Sequence, residues 1–255
     1  MDFKNKTVVI TGAGKGIGAA CAKLFFEAGA NVALLNRGND DAGIHDHRWF
    51  VQQCDVSSEE QIIKASEKIY EHFGSVHYLV NNAGIQRYGT ATQTTSEEWD
   101  EVMNVNLKSN FLCAKYFIPY MQKAGKGVVI NVASVQSFVS QRNVVAYTTA
   151  KTAVLGLTRS IAIDYAPTIR CVAVCPGTID TPMLRDAIKL SPDPDEVLQE
   201  CIDMHPIGRI GSAAEVAEVI KFMCDDNAGF ITGQYIRVDG GLGITINGSK
   251  KEDLI

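Results

Sequence analysis

Two patterns of apolar and polar residues alternate along the chain: short apolar runs and longer segments with helical periodicity. Residues 7–10, Thr-Val-Val-Ile, form a short apolar run that ends at a threonine and a glycine, which is typical of a strand buried on both faces. Residues 17–28 instead place apolar side chains at every third or fourth position and stop before Gly29, which predicts an amphipathic helix. These criteria predict strands at 7–10, 31–35, 49–54, 76–80, 128–132, 169–174 and 235–238, and helices at 17–28, from 57 onward, at 97–123 and at 145–165.

The order of these elements predicts the fold class. Strands that alternate with helices form parallel βαβ units, because each parallel strand needs a crossover connection. We therefore expect an α/β protein with a Rossmann-like, doubly wound, seven-stranded parallel sheet and helices on both faces. The sequence shows no repeats, linkers or low-complexity stretches, so residues 1–255 are predicted to form a single domain.

Two connections depart from this alternation. Between Leu35 and Trp49 the chain is too polar and too short for a packed crossover helix, which predicts a loop. Residues 178–205 contain three prolines and follow the sixth strand, so we expect a long loop that acts as a substrate lid. Residues 242–255 form a C-terminal tail beyond the last strand.

Charge and hydropathy exclude two kinds of partner. The net charge of −5 is spread along the chain, and the short basic cluster at 250–251 is followed directly by two acidic residues. We therefore expect no nucleic acid partner. No apolar run approaches the roughly 20 residues that span a bilayer, and the charged first six residues lack the apolar core of a signal peptide, so we expect no membrane association.

Cysteine usage bears on the compartment and on metals. Seven cysteines without a Cys-x-x-Cys pair are typical of free thiols in a reducing environment, so we expect a cytoplasmic protein. Cys171 with Cys175, and His45-Asp46-His47, are the two patterns that raise the question of a metal. Both lack further ligands, so we interpret the first as core packing and the second as a polar loop, and expect no metal.

A glycine-rich segment follows the first strand. Thr-Gly-Ala-Gly-Lys-Gly-Ile-Gly at 11–18 lies between that strand and the first helix. Glycines allow the backbone to approach a pyrophosphate, and a helix N-terminus attracts its negative charge. A tight turn without a ligand is the alternative, but the strand–turn–helix context favours a dinucleotide site.

The end of the second strand bears on the choice of dinucleotide. An acidic residue there accepts hydrogen bonds from the ribose 2′-hydroxyl of NAD and repels a 2′-phosphate. This chain instead has Asn36 and Arg37, and Lys15 lies in the glycine-rich segment. Two cations suit the 2′-phosphate of NADP, so we favour NADP over NAD. The alternative is that both are solvated surface charges, and Asp40 and Asp41 weaken the case for NADP.

Three residues suggest proton-transfer chemistry. Tyr147 and Lys151 are four positions apart on a predicted helix and so share one face, while Ser134 follows the fifth strand. A tyrosine with a pKa of about 10 needs a shift of about three units to act as a base near neutrality. One ammonium about 4 Å away contributes about 4 kcal/mol at an effective dielectric constant of 20, so Lys151 alone is expected to suffice. Taken one at a time, Tyr147 and Lys151 are also consistent with neighbouring surface residues, and Ser134 with a helix cap.

Several motifs in order identify a family. They are Thr-Gly-x-x-x-Gly-x-Gly at 11–18, Asp55, Asn-Asn-Ala-Gly at 81–84, Asn106, Ser134, Tyr-x-x-x-Lys at 147–151 and Cys-Pro-Gly at 175–177. With these motifs, the chain resembles the short-chain dehydrogenases/reductases over almost its whole length. The resemblance implies an NAD(P)-dependent oxidoreductase that acts on a carbinol or carbonyl carbon.

The resemblance also implies the role of each matching residue. Tyr147 is expected to be the acid/base, Ser134 to orient the reacting oxygen, Lys151 also to bind the nicotinamide ribose, and Asn106 to hold a water that connects Lys151 to solvent. The implied cofactor contacts are Gly12, Lys15, Gly16, Ile17, Gly18, Asn36, Arg37, Asp55, Val56, Asn82, Ala83, Gly84, Tyr147, Lys151, Pro176, Gly177, Thr178, Ile179 and Thr181.

Within the family, the chain is most similar to the D-aldohexose and related sugar dehydrogenases. The similarity rests on Asn-Asn-Ala-Gly-Ile-x-x-Tyr-Gly at 81–89, Ser-Val-Gln at 134–136, Asp-Tyr-Ala-Pro at 164–167, Ile-Asp-Thr-Pro at 179–182 and Val-Asp-Gly-Gly-Leu at 238–242. It implies oxidation of an aldohexose at C1 to the aldonolactone. The expected substrate contacts are Gln86, Ser134, Gln136, Tyr147 and His205, although the polar ones are equally consistent with exposed loop residues.

Two other functions stay open at this point. One is a reductase or dehydrogenase of another carbonyl, such as a keto-sugar acid, a 3-oxoacyl group or a small ketone. The other is a nucleotide-binding scaffold with a vestigial site. By resemblance, the helices at 97–123 and 145–165 are expected to form the interface of a homotetramer, and the apolar residues 242–246 to pack against a neighbouring subunit.

Overall fold

The strands form one parallel sheet. The computed structural model of the protein describes residues 3–38 and 43–246. Within them, seven strands pair in the order β3-β2-β1-β4-β5-β6-β9, with every neighbouring pair parallel. Their bounds are β1 Thr7–Thr11, β2 Asn31–Asn36, β3 Trp49–Gln53, β4 Tyr78–Asn81, β5 Gly127–Val132, β6 Ile169–Pro176 and β9 Tyr235–Val238. This order, with β1 at the point where it reverses, confirms the doubly wound α/β fold.

Eight α-helices accompany the sheet in the described part of the chain. They are α1 Gly16–Glu27, α2 Glu59–Phe73, α3 Ser96–Met103, α4 Ser109–Lys123, α5 Val145–Asp164, α6 Pro182–Ile188, α7 Pro194–Asp203 and α8 Ala213–Cys224. Several begin at side-chain caps: Ser58 accepts from the backbone of Gln61, and Thr95 and Ser212 form capping boxes with Glu98 and Glu215.

The helices cover both faces of the sheet. Side chains of α1 and α8, including Phe25 and Ile220, pack on one face in a core that continues through the strands. Side chains of α2, α4 and α5, including Ile69, Phe117 and Ile161, form the core on the opposite face. Central strands are therefore buried on both sides, which explains why all five residues of β1 are buried and its three central ones are apolar.

The structure corrects several sequence predictions. The predicted helix at 97–123 follows one path but is interrupted by a π-helical turn at Asn104–Lys108, between α3 and α4. Helix α8 was not predicted. Residues 178–205 are not a plain loop, because they contain α6 and α7, in which no residue is buried. The stretch between β2 and β3 contains no helix in its described residues, 37–38 and 43–48, and the acidic pair at 40–41 lies outside the described residues.

A second, two-stranded sheet closes the base of this excursion. Strand β7, Ile179–Asp180, pairs in parallel with β8, Gly211–Ser212. The backbone N–H of Gly211 also donates to the carbonyl of Thr178 at 2.9 Å. The chain therefore leaves the sheet edge, forms α6 and α7, and returns to the point where it left.

Three further features concern the whole described chain. No helix among residues 3–38 and 43–246 combines the length and apolar composition needed to span a bilayer. The seven cysteines are free thiols, and all but Cys201 are buried. Within the same described ranges, no three His, Cys, Asp or Glu side chains come together as a metal site.

Candidate active site

The glycine-rich segment ends at a helix N-terminus that no side chain caps. Lys15 occupies the N-cap position of α1, its side chain makes no capping hydrogen bond, and the first turn contains no acidic residue. The backbone N–H groups of this turn are therefore left for an anion, and the Lys15 side chain is exposed beside them.

Close backbone approaches explain the glycines of this segment. Gly12 and Gly16 have φ angles of 63° and 57°, which disfavour any side chain. A Cβ on Gly12 would lie 2.9 Å from Ala83 Cα, and one on Gly16 would lie 3.2 Å from Thr181 Cγ2. The segment therefore forms a narrow, backbone-lined cradle between 82–84 and the start of α6, and this cradle fits the pyrophosphate of a dinucleotide.

Thr11 and Asn82 fasten this cradle to the sheet. Thr11 Oγ1 accepts from the backbone N–H groups of Asn82 and Ala83 at 2.9 and 3.0 Å. Asn82 Nδ2 donates in return to the carbonyls of Thr11 and Gly12, each at 3.0 Å. The Asn82 amide nitrogen thus supports the glycine-rich segment, and Thr11, which the sequence prediction omitted, is its partner.

The end of β2 and the start of α2 flank the predicted adenosine side. Asn36 is 4% exposed, whereas Arg37 is exposed. Asp55 Oδ1 accepts from the Ser57 backbone at 2.9 Å and from the Ser57 hydroxyl at 2.7 Å. The carboxylate therefore shapes the turn before α2, and its contact with adenine, like that of the buried Val56, stays a prediction.

Ser134, Tyr147 and Lys151 meet at the carboxyl edge of the sheet. Ser134 follows β5 and is 8% exposed, and its side chain hydrogen-bonds to the partly buried Tyr147. Lys151 Nζ lies 5.7 Å from the centroid of the Tyr147 ring and donates to the carbonyl of Val132 at 2.7 Å. These three predicted catalytic residues are thus brought together in one cluster.

The electrostatics of this cluster differ from the sequence argument. Burial raises the pKa of the Tyr147 phenol, and the hydrogen bond with Ser134 opposes that rise. Burial lowers the pKa of the Lys151 ammonium to about 8, and the Cys175 sulfur opposes that shift. The expectation that Lys151 alone brings the phenol pKa near neutrality is therefore wrong for the chain on its own, because burial raises that pKa instead.

Asn106 lies in the π-helical turn between α3 and α4. Its Oδ1 accepts from the N–H of Ile85 and its Nδ2 donates to the carbonyl of Ile85, both at 2.8 Å. A Cβ on Gly84 would lie 3.4 Å from Asn106 Oδ1 and 3.6 Å from Lys151 Nζ. Asn106 and Lys151 thus both border Gly84, and the role of Asn106 in holding a water that connects Lys151 to solvent stays a prediction.

The segment after β6 lies on the predicted nicotinamide side. Thr178 N–H donates to His205 Nε2 at 3.2 Å, and His205 Nδ1 contacts the carbonyl of Cys201 at 2.7 Å. Both ring nitrogens are thus engaged within the protein, and His205 supports the 176–181 segment from behind; its contact with substrate stays a prediction. Thr181 caps α6, and its methyl group borders Gly16.

Polar groups continue from Ser134 toward the predicted substrate side. The backbone N–H of Gln136 donates to Ser134 Oγ at 3.1 Å, and the Gln136 amide contacts the Gln141 and Thr148 side chains, both at 3.2 Å. Gln86 is partly buried on the segment that leaves β4.

The structure adds one residue to this side. Tyr88 lies close enough to Tyr147 and to Cys201 of α7 to interact electrostatically with both. Its loop is held by the Gly89 N–H, which donates to the Asn143 carbonyl at 2.7 Å. Tyr88 belongs to the motif at 81–89, but that motif predicts no role for it. Its position depends on contacts that the sequence pattern does not contain.

Comparison with known proteins agrees with this site. The family model described as enoyl-(acyl carrier protein) reductase matches residues 12–243. An uncharacterised oxidoreductase of Thermotoga maritima is 41% identical over 251 residues, which cover 94% of this chain and 98% of that protein. The 3-oxoacyl-[acyl-carrier-protein] reductase of the same organism is 36% identical over 250 residues, covering 95% and 99%.

A solved structure is similar over almost the same span. Ligand-free aldohexose dehydrogenase of Thermoplasma acidophilum has a TM-score of 0.93 and 40% sequence identity, and the match covers 98% of both chains. Fold, site and relatives together define an oxidoreductase that acts on CH–OH groups with a nicotinamide cofactor. The chain belongs to the short-chain dehydrogenase/reductase family.

Proposed function

We propose that this enzyme oxidises an aldohexose at its anomeric carbon to the aldonolactone. The observation that carries the proposal is the run of side-chain amides and hydroxyls beside Ser134, formed by Gln136, Gln141 and Thr148. A hydroxyl-rich ligand requires such donors and acceptors, whereas an apolar substrate would remove these groups from water and offer no hydrogen bonds in exchange. The similarity to an aldohexose dehydrogenase at 40% identity supports the same substrate class.

The chain supplies the proton chemistry of this reaction. Ser134 hydrogen-bonds the C1 oxygen and orients it, and Tyr147 accepts the proton of the C1 hydroxyl as the carbonyl of the lactone forms. When bound, the nicotinamide accepts the hydride from C1. Lys151, as a cation between the phenol and the Val132 carbonyl, stabilises the negative charge that Tyr147 needs in order to act as a base.

A substrate panel tests the proposal. Assays of NADP⁺ and NAD⁺ reduction across the aldohexoses should give turnover with at least one sugar, and its lactone as the product.

Gln136→Leu should lower kcat/KM for that sugar about tenfold or more, with the cofactor KM unchanged, because a lost hydrogen bond to a polar ligand leaves its partner unsatisfied. Failure with every aldohexose, together with reduction of a 3-oxoacyl thioester or a small ketone, would instead support the second activity, which the 3-oxoacyl reductase relative suggests.

NADP is the favoured cofactor within this proposal. None of residues 31–38 is acidic, and β2 leads from the buried Asn36 directly to the exposed Arg37. The Arg37 carbonyl accepts from Gln53 Nε2 at 3.0 Å, which holds the backbone of this corner to β3. Arg37 and the exposed Lys15 are the two cations that suit a 2′-phosphate.

Arg37→Asp should reverse the cofactor preference. A carboxylate at this position accepts hydrogen bonds from the ribose hydroxyls of NAD and repels a 2′-phosphate, so the ratio of kcat/KM for NADP to that for NAD should fall by about a hundredfold. The measurement is initial rates with each cofactor at saturating substrate. Lys68→Asp, on the exposed side of α2, makes the same charge change as a control and should leave the ratio unaltered. An unchanged ratio in Arg37→Asp would contradict the assignment.

A homotetramer and a cytoplasmic location complete the proposal. Helices α4 and α5 expose apolar side chains, with Phe111 49% and Ile163 78% exposed, which favours their burial between subunits. Ile244 and Ile246 are 72% and 93% exposed at the start of the tail, as expected for a segment that packs against a neighbouring subunit. Residues 247–255 of the tail lie outside the described residues.

A further inference from the structure

A directed chain of hydrogen bonds runs through the interior beneath the catalytic cluster. Asn81 Nδ2 donates to Asn131 Oδ1 at 2.9 Å, and Asn131 Nδ2 donates to Thr158 Oγ1 at 3.0 Å. The Thr158 hydroxyl in turn donates to the carbonyl of Val154 at 2.8 Å. Asn81, Asn131 and Thr158 are each at most 1% exposed, so water does not compete for these bonds.

This chain of hydrogen bonds attaches α5 to the sheet at a second point, in addition to the bond made by Lys151. Lys151 and Thr158 are seven residues apart, about two turns, and so lie on the same face of α5. Lys151 binds the carbonyl of Val132, and Thr158 binds the side chain of the adjacent Asn131. The long lysine side chain tolerates sliding of the helix, whereas the short threonine does not. Thr158 is therefore the less adjustable of these two attachments of α5 to β5.

The same chain of hydrogen bonds also contacts α4, the helix that follows Asn106. Asn81 Nδ2 also contacts the carbonyl of Asn110 at 3.4 Å, and Asn110 lies one turn after Asn106. Asn81 and Asn131 are register partners in β4 and β5. One network thus joins two neighbouring strands to both helical segments that present catalytic groups.

This network carries a cost in stability. Asn81 Oδ1 is buried without a hydrogen-bond partner, and a buried unsatisfied acceptor destabilises the folded state. An apolar side chain of similar size at Asn81 would avoid that cost, so packing alone does not account for the amide. Buried polar groups that add no stability serve best where they specify one geometry among several.

We propose that Asn81, Asn131 and Thr158 are positioning residues for the reaction: their hydrogen-bonded chain sets the placement of Tyr147 and Lys151 on α5 relative to Ser134. The proposal rests on Tyr147 as the proton-transferring group of the proposed function, and it is independent of which alcohol is oxidised. The titratable groups that face the placed pair are Tyr88 toward Tyr147 and Cys175 toward Lys151, and the Ser134 hydroxyl hydrogen-bonds to Tyr147.

Thr158→Val tests the proposal, because valine keeps the shape of threonine and removes its hydroxyl. Kcat should fall roughly tenfold to a hundredfold while the KM for cofactor stays within about twofold, since a displacement of about 1 Å has effects of this size. The pH profile of kcat should shift by about half a unit or more, because the distances that set the pKa of Tyr147 change. Thr158→Ser, which keeps the hydroxyl, should restore both the rate and the profile.

Thr7→Val is the matched control. Thr7 is equally buried, its hydroxyl accepts from Asn31 at 3.4 Å, and it lies at the opposite end of β1 from the cleft. It should lose stability without a change in pH profile. If Thr158→Val behaves like Thr7→Val, or if Thr158→Ser fails to restore the rate, the proposal is overturned. If Thr158→Val does not fold, Thr158→Ala replaces it and is judged by the same criteria.

A second measurement separates this proposal from the choice of substrate. The phenolate absorbance of each variant, minus that of the same variant with Tyr147→Phe, reports the titration of Tyr147 without turnover. If no aldohexose is oxidised, the proposed substrate is wrong. A displaced Tyr147 titration in Thr158→Val that returns in Thr158→Ser would still support the positioning role, and an unmoved titration would refute it.

Discussion

Tyr147→Phe should lower kcat by a factor of about 10²–10⁴, the range that a positioned acid/base contributes. The phenyl ring keeps the packing of this partly buried side chain but loses the hydroxyl that bonds to Ser134. The Kd for the cofactor, measured by calorimetric titration, should stay within about fivefold, because a single hydrogen bond contributes about 1 kcal/mol or less. The combination of lost turnover and retained binding is the expected signature.

Tyr165→Phe provides the control for this variant. Tyr165 ends α5 and is partly buried like Tyr147, but it lies at the opposite end of the helix from the catalytic cluster. It should leave kcat near the wild-type value. Full turnover in Tyr147→Phe would show that another group transfers the proton, and it would remove the basis of the proposed mechanism.

Lys151→Met should abolish activity and yet stabilise the protein. Lys151 is 4% exposed, and burial lowers the pKa of its ammonium from 10.5 to about 8. This shift corresponds to a penalty of about 3 kcal/mol for the charged form, and loss of the bond to the Val132 carbonyl offsets about 1 kcal/mol of it. At pH 7 the free energy of unfolding should therefore rise by about 2 kcal/mol, and Tm by roughly 4–8 °C.

The stabilising effect of Lys151→Met depends on pH. Below pH 8 the side chain is protonated in both the folded and the unfolded protein, so the penalty is complete. Between pH 8 and 10.5 the folded protein loses the proton first, so the wild type gains stability and the advantage of Lys151→Met shrinks. Lys126→Met, which removes an exposed lysine paired with Asp226, should change stability by less than about 1 kcal/mol. A Lys151→Met protein less stable than the wild type at pH 7 would contradict the argument.

The elements that the sequence predicted well are those governed by local composition. The central parallel strands are buried and mostly apolar, and all seven strands of the main sheet were predicted, with ends that differ by at most two residues. The glycine-rich segment and the spacing of Tyr147 and Lys151 also depend only on neighbouring residues. The family assignment that they supported is confirmed by the comparisons.

The errors in the fold have identifiable causes. Pro182 and Pro194 suggested a loop, but both are the first residues of helices, after the caps Thr181 and Asp193. Proline is favoured at this position because its missing N–H has no partner there in any case. Helix α8 was missed although Ser212 and Glu215 form a capping box, which the sequence pattern does contain.

Properties of the site that depend on tertiary structure could not be predicted. Desolvation of Tyr147 and Lys151 depends on what packs around them, and the charge argument from spacing alone omitted it. Asn106 reaches Ile85 only because a π turn rotates it, and no residue pattern indicated that turn. The engagement of His205 with Thr178 joins residues 27 positions apart in the chain.

The paired base of the excursion that holds α6 and α7 has a consequence for turnover. Strands β7 and β8 hold its two stems together, and neither helix buries a residue. A displacement of the two helices would therefore expose little apolar surface and would leave the paired stems in place. Because the start of α6 also borders the glycine-rich cradle at Gly16, such a displacement would open the cleft on this side for ligand entry and product release.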